Sequence, residues 1–196
     1  MNRPRQTRKA LNIVLDLDNT LISAIDEDEI ETMGVEVVSA RQKAFTWLNM
    51  EDEFKVFERP GLQKFLTWLF ANFNVSVWTA ASKSYALFII EKFVIAGRPE
   101  RKLDYVLFSH HCRESKRNHN YQKSLEMMSN VFPQEYTLDK TYIVDDNKEV
   151  FDAQPTMCIR VKPFDVQKNS CVKDVELDRI KRHLEAVRIK HLEKTE

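Results

Sequence analysis

The residues best suited to chemistry are Asp16 and Asp18, in the run Asp16-Leu17-Asp18-Asn19-Thr20 that follows the apolar stretch Leu11-Asn12-Ile13-Val14-Leu15. Side chains at i and i+2 of an extended segment point to the same side, so both carboxylates can reach one ligand beyond the end of a buried strand. Like charges this close raise one another's pKa unless a cation neutralises them, which predicts a divalent metal and a division of acid and base work. Mg²⁺ suits the pattern: it is hard, prefers oxygen, and takes one or two carboxylates while keeping waters and a substrate phosphate. An EF-hand calcium loop fits badly, because Leu21 stands where its sharp turn needs glycine and a strand rather than a helix precedes it.

Other elements must bring partners to this pair. Strand-like and helix-like stretches alternate from Leu11 onward, the pattern of an α/β fold with a parallel sheet flanked by helices. The stretch of about 22–58 reads as a β-rich flap inserted after the first strand, with strands at 35–38, 44–47 and 54–57. Arg59-Pro60-Gly61 then opens an amphipathic helix carrying Leu62, Phe65, Leu66, Leu69 and Phe70. A second core strand at 75–78 runs into Thr79, a helix is expected over 83–95, and a third strand over 103–108. A polar loop follows at 109–120, then a helix from 121 to 130 with Lys123 in its first turn. The strand at 141–144 runs into Asp145-Asp146, a short strand lies at 157–161, and Leu177, Ile180, Leu184 and Val187 stripe a C-terminal helix.

Composition narrows the functional class. The 196 residues suit a single domain over 11–196, and thirty basic residues cancel thirty acidic ones, so bulk charge predicts neither wholesale nucleic-acid nor membrane binding. Residues 1–10, with Arg3, Arg5, Arg8 and Lys9, are expected to be a basic, flexible terminus. Three cysteines without CxxC spacing and the lack of a long apolar segment predict a soluble intracellular protein, nuclear or cytoplasmic. With only three glycines there is no glycine-rich nucleotide cradle.

Three strand ends thus carry reactive groups: Asp16 and Asp18, Thr79, and Asp145 with Asp146. Parallel α/β sheets bind ligands at the carboxyl ends of their strands, so these groups and Lys123 can share one crevice suited to phosphoryl transfer. Here the chain resembles phosphatases of the haloacid dehalogenase superfamily, of the type that dephosphorylates the RNA polymerase II C-terminal domain. Asp16 to Leu21 matches the DxDx[TV]L signature, and Arg59-Pro60-Gly61 the RPG or RPH that opens the next helix. Val77-Trp78-Thr79-Ala80-Ala81 with Tyr85-Ala86 is similar to the threonine motif and its YA pair. Asn120-Tyr121-Gln122-Lys123 resembles the lysine segment, and Asp145-Asp146-Asn147 the DD or DN motif.

The resemblance implies roles. Asp16 would be the nucleophile that forms an aspartyl phosphate, and Asp18 the general acid and then base. Mg²⁺ would be held by the Asp16 carboxylate, the Asp18 carbonyl and Asp146, while Asp145 orients Lys123. Lys123, Thr79 and backbone N–H groups near Leu17 and Ala80 would bind the phosphoryl oxygens, with Thr20 bracing the loop. Lys116 and Arg117 would meet an acidic or phosphorylated substrate, which the resemblance makes a phosphoserine or phosphothreonine protein such as the polymerase C-terminal domain. A nucleic-acid 3′-phosphatase and a catalytically silent phosphopeptide-binding module are the alternatives. The aromatics Phe45, Trp47, Phe54 and Phe57 either seal the flap against the core or line a pocket for a peptide side chain such as proline. Zinc at His110, His111, Cys112 and His119 is disfavoured, since no second ligand pair has finger spacing.

Overall fold

The structure, a computed structural model, describes residues 8–51 and 53–194. In chain order it runs β1 (Asn12–Leu15), β2 (Ile22–Ile25), α1 (Glu27–Met33), α2 (Val35–Ala44), β3 (Trp47–Met50), β4 (Phe54–Glu58), α3 (Leu62–Asn72) and β5 (Asn74–Trp78). Next come α4 (Lys83–Ile89), continued by a π-helical stretch (Ile90–Ile95), β6 (Leu103–Leu107), α5 (Ser109–His119) and α6 (Leu125–Val131). The chain ends with β7 (Thr141–Asp145), α7 (Lys148–Ala153), β8 (Cys158–Arg160), a 3₁₀ turn (Asn169–Lys173) and α8 (Glu176–Leu192).

Five strands form a parallel sheet in the order β6-β5-β1-β7-β8. The α/β architecture expected of the sequence is therefore present. β1 is buried throughout, and its alternate residues serve opposite faces: Ile13 and Leu15 join the core beneath α3, α4 and α8, while Val14 joins the one beneath α5, α6 and α7. From β1 the chain builds outward through β5 to β6, then returns to place β7 on the other flank of β1. The crevice of such a sheet lies at this reversal, between the carboxyl ends of β1 and β7, where Asp16 and Asp145 stand.

The flap differs from the β-rich expectation. Its antiparallel sheet has three strands in the order β2-β4-β3, but between β2 and β3 the chain folds into two helices. Asp26 and Glu29 form a capping box that starts α1, and Gly34 at φ +82 lets the chain turn directly into α2. Residues 35–38 alternate like a strand, yet they open a helix whose buried residues are Val38 and Arg41. Arg41 Nε donates to the Val166 carbonyl at 2.8 Å and its Nη2 to Asn169 Oδ1 at 2.8 Å, a tertiary anchor that local pattern does not reveal. The expected strand at 44–47 is shifted to Trp47–Met50.

Two further expectations are corrected between β6 and β7. The polar stretch expected as a loop is the helix α5, which buries Cys112 and Ser115 three residues apart. The helix expected from 121 begins only at Leu125, with Ser124 as N-cap. At the basic start of the chain residues 1–7 lie outside the described residues, but Arg8 is paired with Asp104 at 2.9 Å and Lys9 Nζ donates to the carbonyls of Phe70 and Phe73.

Arg59 locks flap, loop and C-terminal segment together. Fully buried, it donates to the Thr20 carbonyl at 2.9 Å, the Lys162 carbonyl at 2.7 Å, and both Asp174 carboxylate oxygens at 2.9 and 2.8 Å. Removing one partner of a buried ion pair costs about 3–5 kcal/mol, because the other charge is left behind. Arg59→Met is expected to lower Tm by roughly 10 °C, at about 2–4 °C per kcal/mol for a domain of this size. Adding Asp174→Leu should recover part of the loss; thermal unfolding of both variants checks this.

Candidate active site

Asp16 sits one residue beyond β1, where its backbone N–H still donates to the Val144 carbonyl at 3.0 Å and so continues the ladder with β7. That hydrogen bond aims its carboxylate at the mouth of the crevice. Asp145 is the last residue of β7 and Asp146 the next, so both expected acidic pairs lie at adjacent strand ends. Oxygen atoms of Asp16, Asp145 and Asp146 lie within 4.8 Å of one another, close enough for one ion to touch all three side chains.

Lys123 reaches this cluster from the segment before α6. Its Nζ is 2.5 Å from Asp16 Oδ1 and 2.7 Å from Asp145 Oδ2. The three groups are 3%, 5% and 0% exposed, so each charge depends on its partners rather than on water. Lys123 is thus the lysine of the cluster, as its segment leads one to expect. Lys123 stands outside the helix, at φ +56, a left-handed conformation that costs a non-glycine residue about 1 kcal/mol or more. Neighbours hold it there: Gln154 Nε2 donates to its carbonyl at 2.9 Å, while Ser115 Oγ accepts from the Ser124 N–H at 2.9 Å and donates to the Tyr121 carbonyl at 2.9 Å.

The oxygens of the carboxylates are unevenly engaged. Asp145 has Lys123 on one oxygen and the Asn147 N–H on the other at 2.9 Å. Asp16 accepts from Lys123 on Oδ1 and from the buried Thr20 hydroxyl on Oδ2 at 3.0 Å. Asp18 is turned the other way, its Oδ1 accepting from the Tyr85 hydroxyl at 2.6 Å. Loop 17–20 is a tight turn in which the N–H groups of Thr20, Leu21 and Ile22 all donate to the Leu17 carbonyl.

Asp16, Asp18, Asp145 and Asp146 share the charge of one nearby ammonium, Lys123, and this imbalance sets the electrostatics. Burial pulls the Lys123 ammonium down, but Asp16 and Asp145 outweigh it and hold the group well above the ordinary lysine range. Burial, with the Asp16 charge adding, pushes Asp145 up despite its contact with Lys123. Burial pushes Asp146 up to about 6, again reinforced by Asp16. Asp18 is pushed up to about 6 by burial and by Asp16, against the Tyr85 hydrogen bond that favours its charged form. Acids that resist ionising for want of positive charge would be relieved by a divalent cation. Oxygen donors alone, tightly grouped, fit Mg²⁺.

Other expected contacts are less direct. Thr79 is fully buried at the end of β5, and its hydroxyl accepts from the Ala81 N–H at 3.0 Å, shaping the turn that also carries Ala80. Lys116 and Arg117 are exposed on α5, Arg117 turns onto Glu114 at 2.5 Å, and among the described residues neither bonds to the acidic cluster. Of the flap aromatics, Phe45 and Phe57 pack in the flap core with Phe164, and Trp47 lies against Phe57. Phe54 instead meets Tyr85 edge to face at 5.6 Å. Together with Ala24, Met50 and Ala81, and with the polar Glu53, Ser82 and Ser84, they line a cavity of about 420 Å³ that opens beside Asp18.

Reading residues alone missed Gln154, Ser115 and the role of Arg59, and saw in Tyr85 only half of a motif. Ser82 at the N-cap with Tyr85 three residues on was the available signal for Tyr85, since an N3 side chain lies beside the loop that the cap closes. Gln154 gave none, because its contact with Lys123 spans 31 residues.

Comparison with known proteins gives an independent reading. Residues 11–195 match the family described as NLI interacting factor-like phosphatase. The chain is 46% identical over 181 residues to a CTD phosphatase-like protein of Invertebrate iridescent virus 6, covering 88% of this chain and 98% of that one. It is 40% identical over 185 residues to the corresponding protein of Invertebrate iridescent virus 3, covering 92% and 98%. Among solved structures, Fcp1, an essential RNA polymerase II CTD phosphatase, superposes with a TM-score of 0.57 at 21% identity, over 92% of this chain and 49% of that chain. The fission yeast Fcp1 bound to beryllium fluoride gives 0.57 at 19% identity, over 88% and 50%. This chain thus spans about half the length of those solved chains, and the likeness is one of fold.

Proposed function

Because the chain belongs to the NLI interacting factor-like phosphatase family, and so is a haloacid dehalogenase-type hydrolase of phosphate esters, we propose that it is a Mg²⁺-dependent phosphoserine/phosphothreonine protein phosphatase acting through an aspartyl phosphate. The observation that carries this reading is the buried Lys123 ammonium between Asp16 and Asp145, at 2.5 and 2.7 Å, inside a cluster of acids at adjacent strand ends.

Asp16 Oδ attacks phosphorus as the bond to the leaving serine or threonine oxygen breaks, and Asp18 gives that oxygen its proton. In the second half Asp18 takes a proton from water, the water oxygen bonds to phosphorus, and the aspartyl oxygen leaves. One displacement of a poor leaving group thus becomes two easier steps. In this reading Lys123 balances charge on the transferring phosphoryl group, joined by Thr79 and the N–H groups of Leu17 and Ala80. Asp145 holds Lys123 in place, and Asp16 and Asp146, with the Asp18 carbonyl, would hold Mg²⁺. Bound there, the ion supplies charge neutralisation for the nucleophile and the phosphate. The cavity beside Asp18, where Phe54, Met50 and Ala24 meet the polar Glu53, Ser82 and Ser84, supports a peptide substrate, with room for a side chain such as proline next to the phosphorylated residue.

The test is turnover of p-nitrophenyl phosphate, a phosphoserine heptad peptide of the polymerase C-terminal domain and a 3′-phosphorylated oligonucleotide, each with Mg²⁺ and with EDTA. The first two are expected to be hydrolysed with Mg²⁺ only. Preference for the oligonucleotide would point to a nucleic-acid phosphatase, and no turnover anywhere to a binding module.

A further inference from the structure

We propose that Tyr85 is the positioning residue for Asp18: its hydroxyl holds one oxygen of the general acid so that the other faces the leaving group. The inference rests on the reading of Asp18 as that acid. A carboxyl group turns easily about its last torsion, so an acid at a crevice mouth needs an outside anchor to keep one oxygen on target. Asp18 Oδ1 has that anchor in the Tyr85 hydroxyl at 2.6 Å. Oδ2 is left to carry the exchanging proton.

The anchor is itself well fixed. Tyr85 lies in the first turn of α4, where its N–H donates to the N-cap Ser82 hydroxyl at 3.3 Å, and its ring is braced edge to face by Phe54 of β4 at 5.6 Å. Its hydroxyl hydrogen has an acceptor on an acid that becomes charged during the reaction. As the Asp16–phosphorus bond forms and the phosphorus–oxygen bond to the leaving group breaks, the proton on Asp18 Oδ2 passes to the leaving oxygen. The electron pair of the broken O–H bond stays on Asp18 as a carboxylate. A phenol donating to that carboxylate binds it more tightly than the neutral acid, so the Tyr85 contact is stronger in the transition state than before it.

The requirement for an acid grows with the basicity of the leaving group. Tyr85→Phe keeps the ring against Phe54 and removes only the O–H. Measured as kcat/KM over aryl phosphates with increasingly basic leaving phenols, this variant is expected to lose a few-fold on p-nitrophenyl phosphate and about tenfold or more on phenyl phosphate and the phosphoserine peptide, a part of the range that general acids supply. Asp18→Asn, run alongside, should steepen the same dependence further. If Tyr85→Phe lowers all substrates by one factor or none, Tyr85 only packs and the inference falls while the assignment of Asp18 stands. If Asp18→Asn leaves the dependence unchanged, Asp18 is not the acid and both fall.

Discussion

Replacing Asp16 by Asn should lower kcat on p-nitrophenyl phosphate by roughly 10⁴-fold or more, the scale on which removal of a covalent nucleophile acts. The amide is a poor nucleophile, and no neighbouring group takes its place: Asp145 is fully buried against Lys123 and Asp18 points toward Tyr85. Folding should survive. Lys123 keeps Asp145 as its counter-ion, and removing one of four crowded carboxylates relieves repulsion instead of stranding a charge. Thermal unfolding should therefore show a Tm at or above that of the parent, which separates loss of chemistry from loss of structure. Residual activity within about tenfold of the parent would remove Asp16 from the role of nucleophile.

Withdrawal of Mg²⁺ is the second large effect, and it couples to pH with a definite sign. Asp18, Asp145 and Asp146 all have folded-state pKa values raised by burial, so without a cation the folded protein holds protons that the unfolded chain has released. Stability contributed by those protons is complete below the ordinary carboxyl range near 3.8 and is lost as pH rises through about 6 and 7. Chelated protein is thus expected to melt at a higher temperature at pH 5 than at pH 7.5. Mg²⁺ at about 100 times its Kd should raise Tm at pH 7.5 by roughly 5–10 °C, and by much less at pH 5, where protons already occupy the acids. Turnover at pH 7.5 should fall by roughly 10³-fold or more with EDTA and return on adding Mg²⁺, since the ion is worth several kcal/mol to the charged transition state. Equal stabilisation at both pH values would mean that the ion binds away from these acids.

Much of this was legible in the residues because the signals are short-range. Asp16 and Asp145 each follow an apolar run whose burial on both faces marks an interior strand, and parallel topology places such ends together. α3 and α8 declared themselves by periodic apolar stripes. Where the reading slipped, distant contacts decide the local structure. Residues 35–38 alternate like a strand but are helical because Gly34 turns the chain and Arg41 is claimed by Val166 and Asn169. α5 has few apolar residues, and its burial of Cys112 and Ser115 depends on the sheet behind it. Lys123 was identified by its motif, yet its left-handed backbone could not be, since Gln154 and Ser115 impose it from elsewhere in the chain.

The central claim, that the phosphoryl group passes through the Asp16 carboxylate, is tested most directly by trapping. An acyl phosphate, unlike a phosphoserine, a phosphohistidine or a free carboxylate, is reduced by borohydride, which converts aspartate to homoserine. Enzyme quenched during turnover of p-nitrophenyl phosphate with Mg²⁺, reduced and sequenced by mass spectrometry should carry homoserine at position 16 alone. Homoserine at another aspartate, or none in enzyme that is turning over and whose trapping is validated on a known acyl phosphate, would contradict the mechanism.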